Sequence, residues 1–289
     1  MTGAPPPELR VRFAIAGILV GLLAGDGAQG TSQDADPGRR SVLEYAEWAR
    51  QVVASPPAPI SLLPALEDGL ARRAGDQRRE HDLPAMHPDP DLQRAARAHA
   101  IEMLERGYLG HTSPDGRSVA DRVGILHRRF IGATGENLAE YTGLPHQAAD
   151  QTGSLALKLM SGFLESPEHR ENLLNPDYTH HGVGAAGQGE QLVVVHVFGA
   201  WRAALQRDLP LELPEGAELP LAFEQGEGLS APAKYGFGRA GQPSVEIVPL
   251  DVAQNKVAVG PGTYQLQFFL PTDQPDRYEV ANGPAIIVQ

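Results

Sequence analysis

The sequence predicts an α+β fold, with helices first, a strand pair next and an all-β end. Three observations predict it. Apolar residues recur at helical spacing in successive stretches between Ser41 and Leu174. Gly182–Ala186 and Gln191–Gly199 then read as strands around a Gly187–Gly189 turn. Beyond Arg207 no helical stripe remains, and Thr263–Leu270 alternates with period two.

The elements follow in order. Residues 1–28 place Arg10 and Arg12 before an uncharged run from Phe13 to Gly25, the order of a secretory signal peptide or, if uncleaved, an N-terminal anchor. Residues 29–59 read as a linker carrying one helix, Ser41–Ala54, which Ser55-Pro-Pro-Ala-Pro59 ends. Ile60–Ala74 is a second helix, with Leu62, Leu63, Leu66 and Leu70 along it. Asp89 caps a third, with Pro90 in the first position, Leu92, Ala95, Ala96, His99, Met103 and Leu104 on one face, and Gly107 near its end. A polar loop, Gly110–Arg117, leads to a short helix at Val119–Leu126, and Gly135–Leu138 follows a loop of small residues. Leu155–Leu164 is helical, and Ser166 with Pro167 opens another helix through Leu174. Residues 208–289 carry 11 acidic side chains against Lys234, Arg239, Lys256 and Arg277 and read as a small all-β module. Its strands are expected at Val245–Val248, Val257–Val259, Thr263–Leu270 and Ile286–Val288, with Asp208–Pro220 as linker or first edge strand.

Composition narrows the functions. The chain has 289 residues and no cysteine, which excludes a disulfide framework, a thiol nucleophile, an iron–sulfur cluster and a thiolate zinc finger. A net charge of −12 argues against nucleic acid as a partner and against anionic membrane surfaces, where clustered Lys and Arg supply the affinity. Membrane contact is left to the N-terminal segment alone. Export without cysteine suggests a secreted or periplasmic bacterial product.

The polar residues that stand beside turn signals are His111, Glu136, His169 and His180, with His181, Asp115, Arg122 and Arg170 near them. His and Glu ligate zinc and exchange protons near neutral pH. Two histidines and a carboxylate converging in a cleft would make a divalent-metal site with an open position. The same residues also read as scattered loop groups, and spacing alone does not choose. No His-Glu-x-x-His, Gly-x-Ser-x-Gly or phosphate loop is present. His99 reads as a core residue of its helix face, and His196 as a strand residue facing either side. His81, His87, His127 and His146 read as surface.

Four motifs occur in series: Gly110-His-Thr-Ser-Pro-Asp-Gly-Arg117, Gly135-Glu-Asn-Leu-Ala139, Ser166-Pro-Glu-His-Arg-Glu-Asn-Leu-Leu174 and Asn175-Pro-Asp-Tyr-Thr-His-His-Gly-Val-Gly184. Together they resemble the CAP superfamily (cysteine-rich secretory proteins, antigen 5, pathogenesis-related 1), in its cysteine-free bacterial branch, over about residues 60–203. The resemblance implies an α-β-α sandwich and a cleft lined by His111, Glu136, His169 and His180, of which His111, Glu136 and His180 are the metal candidates, for a divalent ion such as zinc. It offers no counterpart for the second acid of animal members, since Phe163 replaces their Trp and Ser166 stands where the acid would be. Asn137 is expected to pin the Gly-Glu-Asn turn, and Arg122 and Arg170 to clamp loops through carboxylates such as Asp115. What the resemblance implies of function is binding, of a lipid, small molecule, divalent metal or protein partner. A metal-assisted hydrolase and a non-catalytic structural protein of the cell envelope are the alternatives.

Overall fold

The computed structural model describes residues 10–14, 39–143, 145, 153–238, 244–250 and 255–289. Most of the expected leader, the segment 29–38 and His146 lie outside them. The helices are α1 (Val42–Ala54), α2 (Pro64–Glu80), α3 (Pro90–Arg106), α4 (Val119–Leu126), α5 (Gly153–Glu165) and α6 (Pro167–Leu174). The strands are β1 (Arg10–Ala14), β2 (Ser61–Leu62), β3 (His87–Pro88), β4 (Phe130–Thr142), β5 (His180–Gln188), β6 (Gln191–Ala204), β7 (Glu212–Leu213), β8 (Lys234–Gly238), β9 (Ser244–Pro249), β10 (Gly262–Pro271) and β11 (Tyr278–Val288). They form one sheet in the order β2-β5-β6-β4-β11-β10-β8-β9, with β1 on β4, β3 on β5 and β7 on β11.

The middle of the sheet is sandwiched. Alternation along β6 sends Val193, Val195 and Val197 into a core with α1, α3 and α4. It sends Leu192, Val194 and Phe198 to the other face, into a core with α2, α5 and α6. The fold is therefore α+β, with helices on both sides of an antiparallel sheet. Helix α1 lies before the expected domain start at residue 60, yet its Tyr45, Ala46 and Ala49 are fully buried in the same core as α3.

Local chemistry explains α3. The Asp89 side chain accepts from the amides of Asp91 and Leu92, at 2.8 and 2.9 Å. Pro90 takes the first turn, and Gly107 ends the helix at φ 65°. The helix lies directly on β5. A Cβ on Gly184 would fall 2.3 Å from the Arg97 amide nitrogen, and one on Gly182 would fall 2.1 Å from that of Gln93. Backbone cannot retreat as a side chain can. Gly184→Ala is therefore expected to cost about 3 kcal/mol of stability through overpacking, read as a lower urea midpoint at unchanged slope.

Three expected boundaries change. The second helix does not begin at Ile60: Ser61–Leu62 is β2, paired with β5, and α2 runs from Pro64 to Glu80. The Gly135–Leu138 segment is not a turn after a loop but the middle of the 13-residue strand β4. Val257–Val259 is not a strand: Lys256 makes a single bridge to Glu218, and the Val257 amide bonds the Ala217 carbonyl. The 214–219 turn captures that backbone before any ladder can.

The acidic end is all β and is continuous with the sandwich. Tyr264, Leu266, Phe268 and Leu270 of β10 are buried with Tyr235 and Phe237 of β8, and Ile131, Ala203 and Leu205 from the ends of β4, β6 and beyond join the same core. Arg128 fixes the connection, donating to the carbonyls of Gly124, Leu209 and Pro210 at 2.8, 2.9 and 3.1 Å. Among the described residues no helix is long and apolar enough to cross a membrane.

Candidate functional site

Period-two geometry divides the Gly-Glu-Asn motif between the two sides of the sheet. Glu136 faces α3 and α4, and Asn137 faces α6. Glu136 accepts from three directions. His111 Nδ1 lies 2.9 Å from Oε1, His99 Nδ1 lies 3.0 Å from Oε2, and the Arg122 Nη2 lies 3.0 Å from Oε2. An ionised carboxylate only accepts, so both imidazoles donate from Nδ1. Arg122 also donates to the carbonyls of His111 (2.8 Å) and Arg117 (3.0 Å) and to Ser113 Oγ (3.2 Å). Its role is thus to join the 110–117 loop to β4. The direct partner of Asp115 is Arg117.

The cluster is closed. The Glu136 and Arg122 side chains are each 1% exposed and His99 is 0%, while His111 at 16% is the member nearest water. Burial would raise the Glu136 pKa, but the charge of Arg122 and the bonds from His99 and His111 outweigh it and hold the carboxyl well below the usual range. Burial, with Arg122 adding to it, pushes the His99 imidazole down, so that it stays neutral. Its Nε2 is buried without a hydrogen-bond partner.

His180 does not join this group. It stands on Trp201, rings stacked 4.7 Å apart, beside His87 at 5.3 Å, and its Nδ1 meets Thr179 Oγ1 at 2.9 Å. His169 lies on the far side of the sheet, buried in the first turn of α6 against Phe163 at 5.4 Å. Its carbonyl accepts from Asn137 Nδ2 at 2.9 Å, and Asn172 Nδ2 in turn donates to Asn137 Oδ1 at 3.0 Å. Asn137 therefore ties β4 to α6 rather than pinning a turn. Among the described residues Arg170 clamps no carboxylate; its exposed guanidinium meets His81 Nε2 at 3.1 Å.

These positions decide the metal question on chemistry. A divalent ion at Glu136 would have to displace the Arg122 guanidinium or sit beside it, charge against charge. Among the described residues no three His, Cys, Asp or Glu side chains are grouped to hold a metal ion. The residues do not fit the expected ion.

Sequence reasoning missed three buried polar groups. His99 reads as core because it lies on the apolar stripe of α3, yet it touches the central carboxylate. Glu102, one turn further on the same helix, is fully buried and accepts from Ser113 Oγ (2.8 Å) and Tyr108 Oη (3.1 Å). The i, i+3 spacing of His99 and Glu102 was the available signal. His127, expected at the surface, is buried and lies 3.1 Å from Asp89.

A cleft of about 320 Å³ opens on the outer side of the same loop, between α1, α4 and the end of the sheet. Arg39, Arg40, Asp115, Arg117, Tyr264 and Gln265 are among its lining residues. Arg40 lies over the Trp48 ring and Arg117 over Tyr45, each at 4.1 Å. Both guanidinium groups are ion-paired on their inner side: Arg40 Nη1 lies 3.7 Å from Glu102 Oε1, and Arg117 Nη2 meets Asp115.

Comparison with known proteins places this geometry. The family model described as "CAP: Cysteine-rich secretory protein family" matches residues 72–198. Among curated proteins the chain is 27% identical over 165 residues to "Uncharacterized protein YkwD" of Bacillus subtilis, across 56% of this chain and 58% of that one. It is 36% identical over 105 residues to "Uncharacterized membrane protein YlbC" of the same organism, across 36% of this chain and 27% of that one. The chain thus spans less than two thirds of either relative. Similar solved structures include an outer surface protein from Borrelia burgdorferi, 22% identical with a TM-score of 0.39, covering 46% of this chain and 90% of that one. An extracellular SCP-domain protein from Bacillus anthracis is 27% identical with a TM-score of 0.36, covering 46% and 41%. Residues 72–198 of this chain are a domain of the CAP, cysteine-rich secretory protein, family.

Proposed function

We propose that this chain is an exported, non-enzymatic CAP-domain module that binds a carboxylate-bearing ligand in the cleft between α1, the 110–117 loop and β10. The His99–His111–Glu136–Arg122 cluster is the clasp that holds the cleft's inner wall. One observation carries this reading: the cleft lining sets three guanidinium side chains, Arg39, Arg40 and Arg117, against two carboxylates, Asp115 and Asp121. Guanidinium recognises carboxylates well, through charged and often bidentate hydrogen bonds. A guanidinium-lined wall suits neither a lipid tail nor zinc. Export is supported by Arg10 and Arg12 ahead of the Phe13–Gly25 apolar run. Hydrolysis through a metal-bound water gains nothing from a carboxylate already neutralised by Arg122.

The test is calorimetric titration of the full chain with a tri-glutamate peptide, with zinc chloride and with phosphatidylglycerol vesicles. The peptide is expected to bind, and Arg40→Gln to weaken it about tenfold, the loss of one charged hydrogen-bonding partner. Heat from zinc or vesicles, with none from the peptide, would overturn the reading.

A further inference from the structure

The segment that reads as an export address also closes the sheet. β4 is bonded to β6 from Phe130 to Thr142 on one side. On its other side β11 meets it at Gly132, and β1 covers the far half. That second pairing is antiparallel and continuous, from Arg10 opposite Thr142 to Ala14 opposite Leu138. Arg12 lies opposite Glu140, with Nη1 3.5 Å from Oε2. Glu140 is itself held at the edge by Gln191 Nε2, at 2.7 Å.

Nothing in this stretch of β4 protects it if β1 leaves. Leu138-Ala-Glu-Tyr-Thr142 has no proline, and the strand's one irregularity falls at Ile131/Gly132, outside it. A regular edge without bulge or proline is a template for another strand. We propose that the Leu138–Thr142 edge of β4 is a strand-docking site. The chain's own Arg10–Ala14 fills it while the N-terminal segment is in place, and without that segment the edge accepts an extended peptide of the same basic and apolar pattern. Backbone hydrogen bonds supply the affinity, and Glu140 selects a basic residue at the centre of the incoming strand.

Two experiments on the full chain test this. The Gly143 amide bonds the Glu190 carbonyl, so alternation turns the odd residues of β4 to β6 and the even ones to Arg10, Arg12 and Ala14 of β1. Arg12→Pro with Ala14→Pro removes two of the amides that face β4, so amide exchange at 138, 140 and 142 is expected to rise about tenfold while β5 and β6 stay protected. A synthetic peptide of residues 8–15, added at about 1 mM, is expected to restore protection. In a Glu140→Lys background the same peptide should protect less, and a peptide carrying Arg12→Glu should recover the effect. Unchanged exchange in the proline variant overturns the proposal, and so does a rise that the peptide does not reverse. The second experiment uses the natural absence of cysteine. Arg12→Cys with Glu140→Cys should oxidise to an intramolecular disulfide, because facing residues in an antiparallel pair lie within bridging range. Failure to form it overturns the proposal even if the proline variant does not fold.

Discussion

Glu136→Gln is expected to lower stability by about 3–5 kcal/mol and the melting temperature by roughly 10 °C, read by thermal and urea unfolding. The amide keeps the shape of the carboxylate but removes the charge and turns one accepting oxygen into a donor that faces a donor. Arg122 would then be a cation 1% exposed, without its carboxylate, in an interior that penalises it heavily. Arg122→Met alone is expected to be comparably harmful, because it leaves Glu136 bonded by the His99 and His111 imidazoles only. The double variant Glu136→Gln/Arg122→Met should lose much less than the sum of the two, since neither charge then remains alone. Full additivity would show that the pair is not coupled and would remove the clasp from the account.

The second large effect is acid sensitivity from the opposite face of the sheet. His181 Nδ1 and His196 Nε2 lie 2.9 Å apart, both buried, with His196 4.2 Å from the Phe198 ring. Burial pushes His181 down to about 4, with the charge of Arg78 adding to it. Arg78 is itself fully buried, and donates to the carbonyls of Pro84, Leu173, Asn175 and Tyr178 rather than to an acid. Burial likewise drives His196 well below its ordinary value, with His181 adding to it. The folded chain therefore binds fewer protons than the unfolded chain between about pH 6.5 and pH 4. Stability is full above pH 6.5 and falls as pH drops through that window, by about 3 kcal/mol from His181 alone. His99 and His180, also lowered by burial, act in the same direction. Lowered carboxyls such as Glu136 and Asp89 extend the loss to more acidic pH. Urea unfolding at pH 7, 6, 5 and 4.5 should show the decline, and His181→Asn should flatten it. A stability that is constant over this range would contradict a neutral buried pair.

The elements legible in the sequence were those whose stripe faced one core. Helix α3 carried its cap, its first-turn proline and its terminal glycine in plain view, and β10 alternated as written. β4 was hidden because Gly132, Ala133 and Gly135 have little strand propensity, so pairing with β6 decides what local preference does not. Missing that strand also misplaced its side chains. Read as a turn, Glu136 and Asn137 belong to one site, whereas read as a strand they serve opposite faces. His111 and Glu136 were visible as candidates because turn signals surround them. His99 was read as core but not as a partner of Glu136, and that bond, like the burial of Glu102 and His127, is a tertiary fact that only the packed neighbours reveal. His180 was assigned by motif to the central carboxylate, and the sheet carries it instead to Trp201.

Glu136 is either a closed, permanently ionised clasp or an open ligand. Carbon-13 NMR of the Glu136 carboxyl in the folded chain, followed with pH and then with added zinc at neutral pH, reads this directly. The expected result is a carboxylate that stays ionised while ordinary glutamates protonate near 4.3, and whose signal zinc does not move. A midpoint near 4.3, or a zinc-dependent shift shared with His111, would contradict it.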